Sequence, residues 1–125
     1  QGRLASLSWL EDLYITNCGL TDEEGVLLCE SLSSLGRLRL LSVTGNKLGG
    51  QFCRALCAAL PKCRSLVKVN LERNPSVTTV HLNDIVEPIM LHPSLMHIEA
   101  SLAVMTKEVH RRILESHKMK NRYQI

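Results

Sequence analysis

An eleven-residue phrase of alternating apolar and polar positions recurs along most of the chain. Its first copy sets aliphatic residues at Leu10, Leu13, Ile15 and Leu20, with a small polar residue, Cys18, in the ninth place. The second copy has Leu38, Leu41, Val43 and Leu48, with Asn46 in the ninth place. A third runs through Leu66, Val69 and Leu71 to Asn74, and a degraded fourth keeps only Leu95, Ile98 and Ala100. The copies start at Leu10, Leu38, Leu66 and Leu95, a nearly constant stride. Leu13 and Ile15, like Leu41 and Val43, stand two apart between neighbours of different character, the period of a short strand with one buried face. After each strand the spacing turns helical: Leu28 and Leu32, then Phe52, Leu56 and Leu60, then Ile85 and Ile89. Self-similarity at a fixed period of this length predicts a stack of strand–helix layers, each burying its apolar face on the next.

Local signals refine the elements. Thr21 and Asp22 offer N-cap oxygens to the first helix, and Glu24 lies three after Thr21, a capping-box spacing. Gly49 and Gly50 form the second turn, and Pro61 closes the second helix. In the third unit one extra residue precedes Val77, and Asn83 or Thr79 is the expected cap. Pro88 removes a backbone donor at a cost of about 3 kcal/mol inside a helix, which predicts a third helix that is short or starts late. Thr106 is expected to cap a final helix with Val109, Ile113 and Leu114 on one side and Arg111, Arg112 and Glu115 on the other. The expected organisation is therefore the end of a preceding repeat's helix at 1–9, repeats over 10–101, a capping helix over 102–120 and a tail at 121–125. Because the sequence opens partway through a repeat, it is expected to be the C-terminal piece of a longer protein with more repeats upstream.

The phrase L-x-x-L-x-L-x-x-N/C-x-L resembles the leucine-rich repeat. Its 28/29-residue period, and the run Asn17-Cys18-Gly19-Leu20-Thr21, resemble the ribonuclease-inhibitor-type subclass. The resemblance covers roughly residues 4 to 117. It implies an α/β solenoid, a right-handed β-α superhelix with short parallel strands on the concave side and helices on the convex side. Cys18, Asn46 and Asn74 then form a structural row, in which buried amides or thiols satisfy backbone groups left inward by the turn after each strand.

Composition narrows the chemistry. Only 3% of residues are aromatic, so aliphatic side chains must build the core. Residues 102–125 hold six basic and two acidic side chains, against nine and ten in the rest, which places the basic character at the C-terminal end. Five cysteines in no paired spacing point to free thiols and a reducing, intracellular and cytoplasmic setting, extended by the resemblance to cytoskeleton or cilium. No apolar run approaches the roughly 20 residues that span a bilayer, so no membrane partner is expected. Cys53, Cys57 and Cys63 match no standard zinc spacing and have no histidine close in sequence, and no metal or other cofactor is expected. His81, His92, His97, His110 and His117 form no acid/base pattern with the acids and serines, there is no glycine-rich phosphate loop, and an enzyme is not expected.

The positions between the core aliphatics of each strand remain as candidate binding residues. They are Asp12, Tyr14 and Thr16 in the first layer and Leu40, Ser42 and Thr44 in the second. Lys68, Asn70 and Glu72 follow in the third, with His97, Glu99 and Ser101 in the fourth. The leading expectation is a non-catalytic module that binds a protein partner through this concave face. One alternative is electrostatic docking of the basic end, Arg111, Arg112, Lys118, Lys120 and Arg122, on an acidic cytoskeletal or ciliary polymer or on nucleic acid. Sparse aromatic residues argue against nucleic acid. Another, implied by the resemblance, is the repeat region of a NACHT-type sensor; Ran GTPase-activating proteins fit poorly, because they carry an acidic C-terminal region and this chain ends basic. The open N-terminal layer is expected to invite self-association.

Overall fold

Four strands of three residues each line up in chain order as one parallel sheet, β1 (Asp12–Tyr14), β2 (Leu40–Ser42), β3 (Lys68–Asn70) and β4 (His97–Glu99). The computed structural model describes residues 7–123, with side chains as far as residue 120. The helices are α1 (Asp22–Ser31), α2 (Gly50–Ala59), α3 (Thr79–Leu91) and α4 (Lys107–Tyr123). Short 3₁₀ turns at Leu32–Ser34 and Leu60–Lys62 lead α1 and α2 back to the next strand. The pairing register follows the repeat: Asp12 faces Leu40, Leu40 faces Lys68, and Lys68 faces His97, so every layer stays in phase with the recurring phrase. The extra residue of the third unit is absorbed in its loop, where Val77 is buried and Ser76 is exposed.

The core lies between sheet and helices. Leu41, Val43, Val69 and Leu71 from the strand side meet Leu32, Phe52, Leu56, Leu60 and Ile85 from the helix side, all almost fully buried. The first layer is different. Leu7, Leu10, Leu13, Ile15 and Leu20 are only partly buried, whereas Leu38, Leu41, Val43 and Leu48 at the matching positions of the next layer are at most 1% exposed. Gly25 in α1 lets the layers approach, since a Cβ there would lie 2.6 Å from Leu48 Cδ2 and 2.7 Å from Phe52 Cδ1.

Several local expectations need correction. Residues 7–9 form a turn, not a helix, and residues 1–6 lie outside the described range. Pro88 sits inside α3 without shortening it, and the cap is Thr78 instead of Thr79 or Asn83. There His81 Nδ1 accepts the Thr78 backbone N–H at 3.0 Å, standing in for the usual Glu or Gln. Leu114 is exposed, while Val109, Ile113 and Ser116 turn inward. The last helix continues to Tyr123, past the expected boundary at 120; residues 124–125 lie outside the described range. The capping box of α1 forms as read: the Glu24 carboxylate accepts the Thr21 N–H at 3.0 Å and its hydroxyl at 3.1 Å, and these bonds hold the Glu24 pKa down.

Candidate protein-binding face of the sheet

The outer face of the sheet carries two cross-strand rows. Asp12, Leu40, Lys68 and His97 form one; Tyr14, Ser42, Asn70 and Glu99 form the other. The sequence reading placed all of these outside the core, and the register brings them together. Their accessibility is unequal. Asp12, Tyr14, Thr16, Glu72 and His97 are exposed, and Leu40, Lys68, Asn70, Glu99 and Ser101 are partly so. Ser42 and Thr44 were expected to line the surface but are 5% and 8% exposed. Their hydroxyls bond each other at 3.1 Å, and small side chains sit low between the larger ones of adjacent strands.

The face divides into two halves. Toward β4, Lys68 Nζ lies 3.2 Å from Glu99 Oε1, the same oxygen accepts from Asn70 Nδ2 at 3.0 Å, and Asn70 Oδ1 accepts the Glu72 N–H at 2.9 Å. These groups satisfy one another. The His97 ring meets the His117 ring of α4 edge-on with centroids 5.6 Å apart, which closes that end of the face. Sequence reading did not pair these histidines, because one belongs to the last strand and the other to the capping helix beyond it. Toward β1, Asp12, Tyr14 and Leu40 have no such partners among the described residues, and Tyr14 is 62% exposed.

Beneath this face the ninth-position amides hold the turns. Asn46 Nδ2 donates to Ile15 O at 2.7 Å and Val43 O at 2.9 Å, while its Oδ1 accepts from Cys18 N at 3.0 Å and Leu20 N at 2.9 Å. Asn74 repeats the pattern on the second layer, with Val43 O and Leu71 O as acceptors and Leu48 N as donor. Cys18 departs from its expected role: it is exposed, and its thiol reaches only Thr16 O.

The basic end also differs from expectation. Arg111 is bracketed by Glu108 at 2.6 Å and Glu115 at 2.7 Å, which raises the Arg111 pKa and lowers that of Glu108. Lys120 turns inward, donating to Ile89 O at 2.6 Å and to Leu95 O, and burial lowers its pKa. Arg112 is partly buried and Lys118 exposed, and the Arg122 side chain lies outside the described residues. Arg111 is thereby neutralised and Lys120 turned inward, while exposed Lys107 and Lys118 form no ion pair among the described residues.

A cleft of about 420 Å³ between α2 and α3 is lined by Cys53, Cys57, His81 and Asp84, so a histidine does approach the cysteines in space. Burial pushes the Cys53 thiol up to about 12 and raises that of Cys57. At neutral pH they are therefore protonated, a poor state for a nucleophile or a metal ligand. Among the described residues no group of three or more His, Cys, Asp or Glu is arranged to hold a metal ion, and no helix is long and apolar enough to cross a membrane.

No protein-family model matches the chain. Over 92 residues it is 28% identical to NACHT, LRR and PYD domains-containing protein 5 of Bos taurus, a match covering 74% of this chain and 8% of that protein. Over 66 residues it is 38% identical to the ribonuclease inhibitor of Mus musculus, covering 51% of this chain and 14% of that one. The chain thus spans only a small part of the relatives it matches. Among solved structures it superposes on actin-binding site 2 of leiomodin-1 with a TM-score of 0.77 and 12% identity, over 97% of this chain and 75% of that one.

Proposed function

We propose that this chain, a leucine-rich repeat solenoid, is a non-catalytic scaffold which binds a protein partner through the outer face of its sheet. The observation that carries this reading is the exposed Tyr14 ring diagonal, across β1 and β2, to half-exposed Leu40, with Asp12 opposite Leu40 and Thr16 two further along from Tyr14. An aromatic anchor with an aliphatic neighbour and a polar rim has the composition of an interface centre. The hydrogen-bonded half toward β4 supplies a flank whose polar groups are held in place by one another. The partner class is a protein of the cell interior. Because a leiomodin-1 actin-binding segment shares the fold, a cytoskeletal protein is the first candidate to test.

The test is a pull-down from cell extract. Wild type is compared with a Tyr14→Ala/Leu40→Asp/Lys68→Glu variant whose circular dichroism shows it folded. A partner retained by wild type at about 0.3 M salt and lost by the variant supports the face, since apolar anchoring survives screening that removes exposed charge pairs. Equal retention by both proteins overturns it.

A further inference from the structure

Unpaired positive charge also lies along an edge that the sequence does not single out. Arg37 and Arg39 lie in the loop entering β2, and Lys62 and Arg64 in the turn and loop leading to β3. The whole of α2 separates the two pairs along the chain, so no linear cluster betrays them. The fold stacks the two loops side by side. Ser65 Oγ donates to Gly36 O at 2.8 Å, Arg39 N donates to Glu11 O at 2.7 Å, and Val67 N donates to Arg39 O at 2.8 Å. Ser94 Oγ then ties Arg64 O to the fourth layer. All four cationic side chains are exposed, and none forms an ion pair among the described residues. Neither loop, 33–39 or 60–67, contains a carboxylate.

Two further features give this edge a shape. Arg37, Arg39, Ser65 and Glu11 line a cleft of about 500 Å³. At the matching place in the first layer, one repeat before Arg37, stands Trp9, 62% exposed. Asp22, Glu23 and Glu24 are at the opposite, strand-to-helix side. Glu11 stands in the cleft and Glu30, near the end of α1, shares a pocket with Lys62, so Arg37, Arg39 and Arg64 carry the positive excess of the strip.

We propose that this helix-to-strand edge is a second docking surface, for an acidic linear segment of a partner protein that carries one apolar side chain. Neighbouring loops are spaced like parallel strands, about 4.8 Å apart, so carboxylates along an extended segment can meet successive layers. The guanidinium groups suit carboxylates geometrically, and the loop hydrogen bonds hold the backbone beneath them before binding. Trp9 supplies the apolar contact. The Glu11 carboxylate in the cleft can accept backbone N–H groups of a peptide, donors that a phosphate chain lacks.

The test uses a short synthetic Glu/Asp-rich peptide containing one leucine, a single-stranded oligothymidine of equal charge, and the emission of Trp9, the single tryptophan of the chain. At about 0.15 M salt the peptide is expected to bind and shift that emission. Arg37→Glu/Arg64→Glu is expected to weaken binding by about tenfold or more, and Arg37→Gln/Arg64→Gln by less. Lys118→Glu on α4 and Tyr14→Ala on the sheet face should bind as wild type, which separates this surface from the one proposed above. The inference is overturned if wild type ignores the peptide, if the folded charge-reversal variant binds it equally well, or if oligothymidine binds as tightly.

Discussion

Asn46 illustrates how much one side chain settles here: its amide closes two inward carbonyls and two inward N–H groups, split between the first and second layers. Asn46→Ala leaves these without a partner, and the expected loss is about 1–3 kcal/mol in urea unfolding. The backbone just before each ninth position, Cys18, Asn46 and Asn74, is left-handed at Asn17, Gly45 and Arg73, with φ of 53°, 75° and 56°. Only the middle one is glycine, and a Cβ there would collide with Asn17 Oδ1. Gly45→Ala should destabilise by about 1–2 kcal/mol or more, and Arg73→Gly should be neutral to stabilising, a sign difference readable from unfolding midpoints. His92 gives a pH dependence. It is 3% exposed, its Nδ1 accepts from Ser94 N at 3.1 Å and Leu95 N at 2.9 Å, and its Nε2 donates to Cys63 O at 2.8 Å. Burial, chiefly, holds its pKa below the ordinary value, with smaller contributions of the same sign from Lys120 and Arg64. The folded state therefore binds this proton less readily than the unfolded chain does. The stabilisation is complete above about pH 6.5 and declines as pH falls from there toward the folded pKa. Unfolding midpoints should drop across that window in wild type and flatten in His92→Asn, whose side-chain oxygen can replace Nδ1 as acceptor.

At the scale of elements, caps are shared across repeats. Asp22 Oδ1 accepts from Gly49 N at 2.6 Å and Phe52 N at 3.2 Å, so a first-layer acid caps the second-layer helix. Asp22→Ala should cost about 0.5–2 kcal/mol, with faster amide exchange appearing in α2 before α1. Lys120 plays a related part at the other end of a helix, closing carbonyls at the C-terminus of α3 and the entry to β4. These two roles mark where sequence reading stopped. Spacing alone placed Leu41, Val43 and Val69 in strands, set the phase of the layers, and found Thr21 with Glu24, because each signal lies within one repeat or recurs from one to the next. Asp22 reads as a cap for its own helix, and only the stacked layers show its oxygen aimed at the next one. Lys120 reads as solvated, since helical phase does not reveal a carbonyl that lies in another element. Ser42 and Thr44 reside on the expected face, but their depth depends on the size of their neighbours, which periodicity does not encode. His81 reached the cysteine cleft, and His117 reached His97, through the same long-range stacking.

At the scale of the whole molecule, burial rises from the first layer to the second: Leu13 and Ile15 are half-covered where Leu41 and Val43 are sealed. In a solenoid each layer is held by its neighbours, so opening should begin there. Hydrogen exchange of this chain is expected to be faster at the β1 amides than at those of β2 and β3; uniform protection would show that the first layer is held by something other than packing. The amide row has a further consequence. Each asparagine reaches back to the layer before it, Asn46 to Ile15 and Cys18, Asn74 to Val43 and Leu48. Copying the second or the third period therefore adds a hand and the slot it grips in a single genetic step. A cut that moves an amide out of phase with the layer before it leaves one of them empty, whereas an added residue in a loop, as in the third unit, leaves both filled.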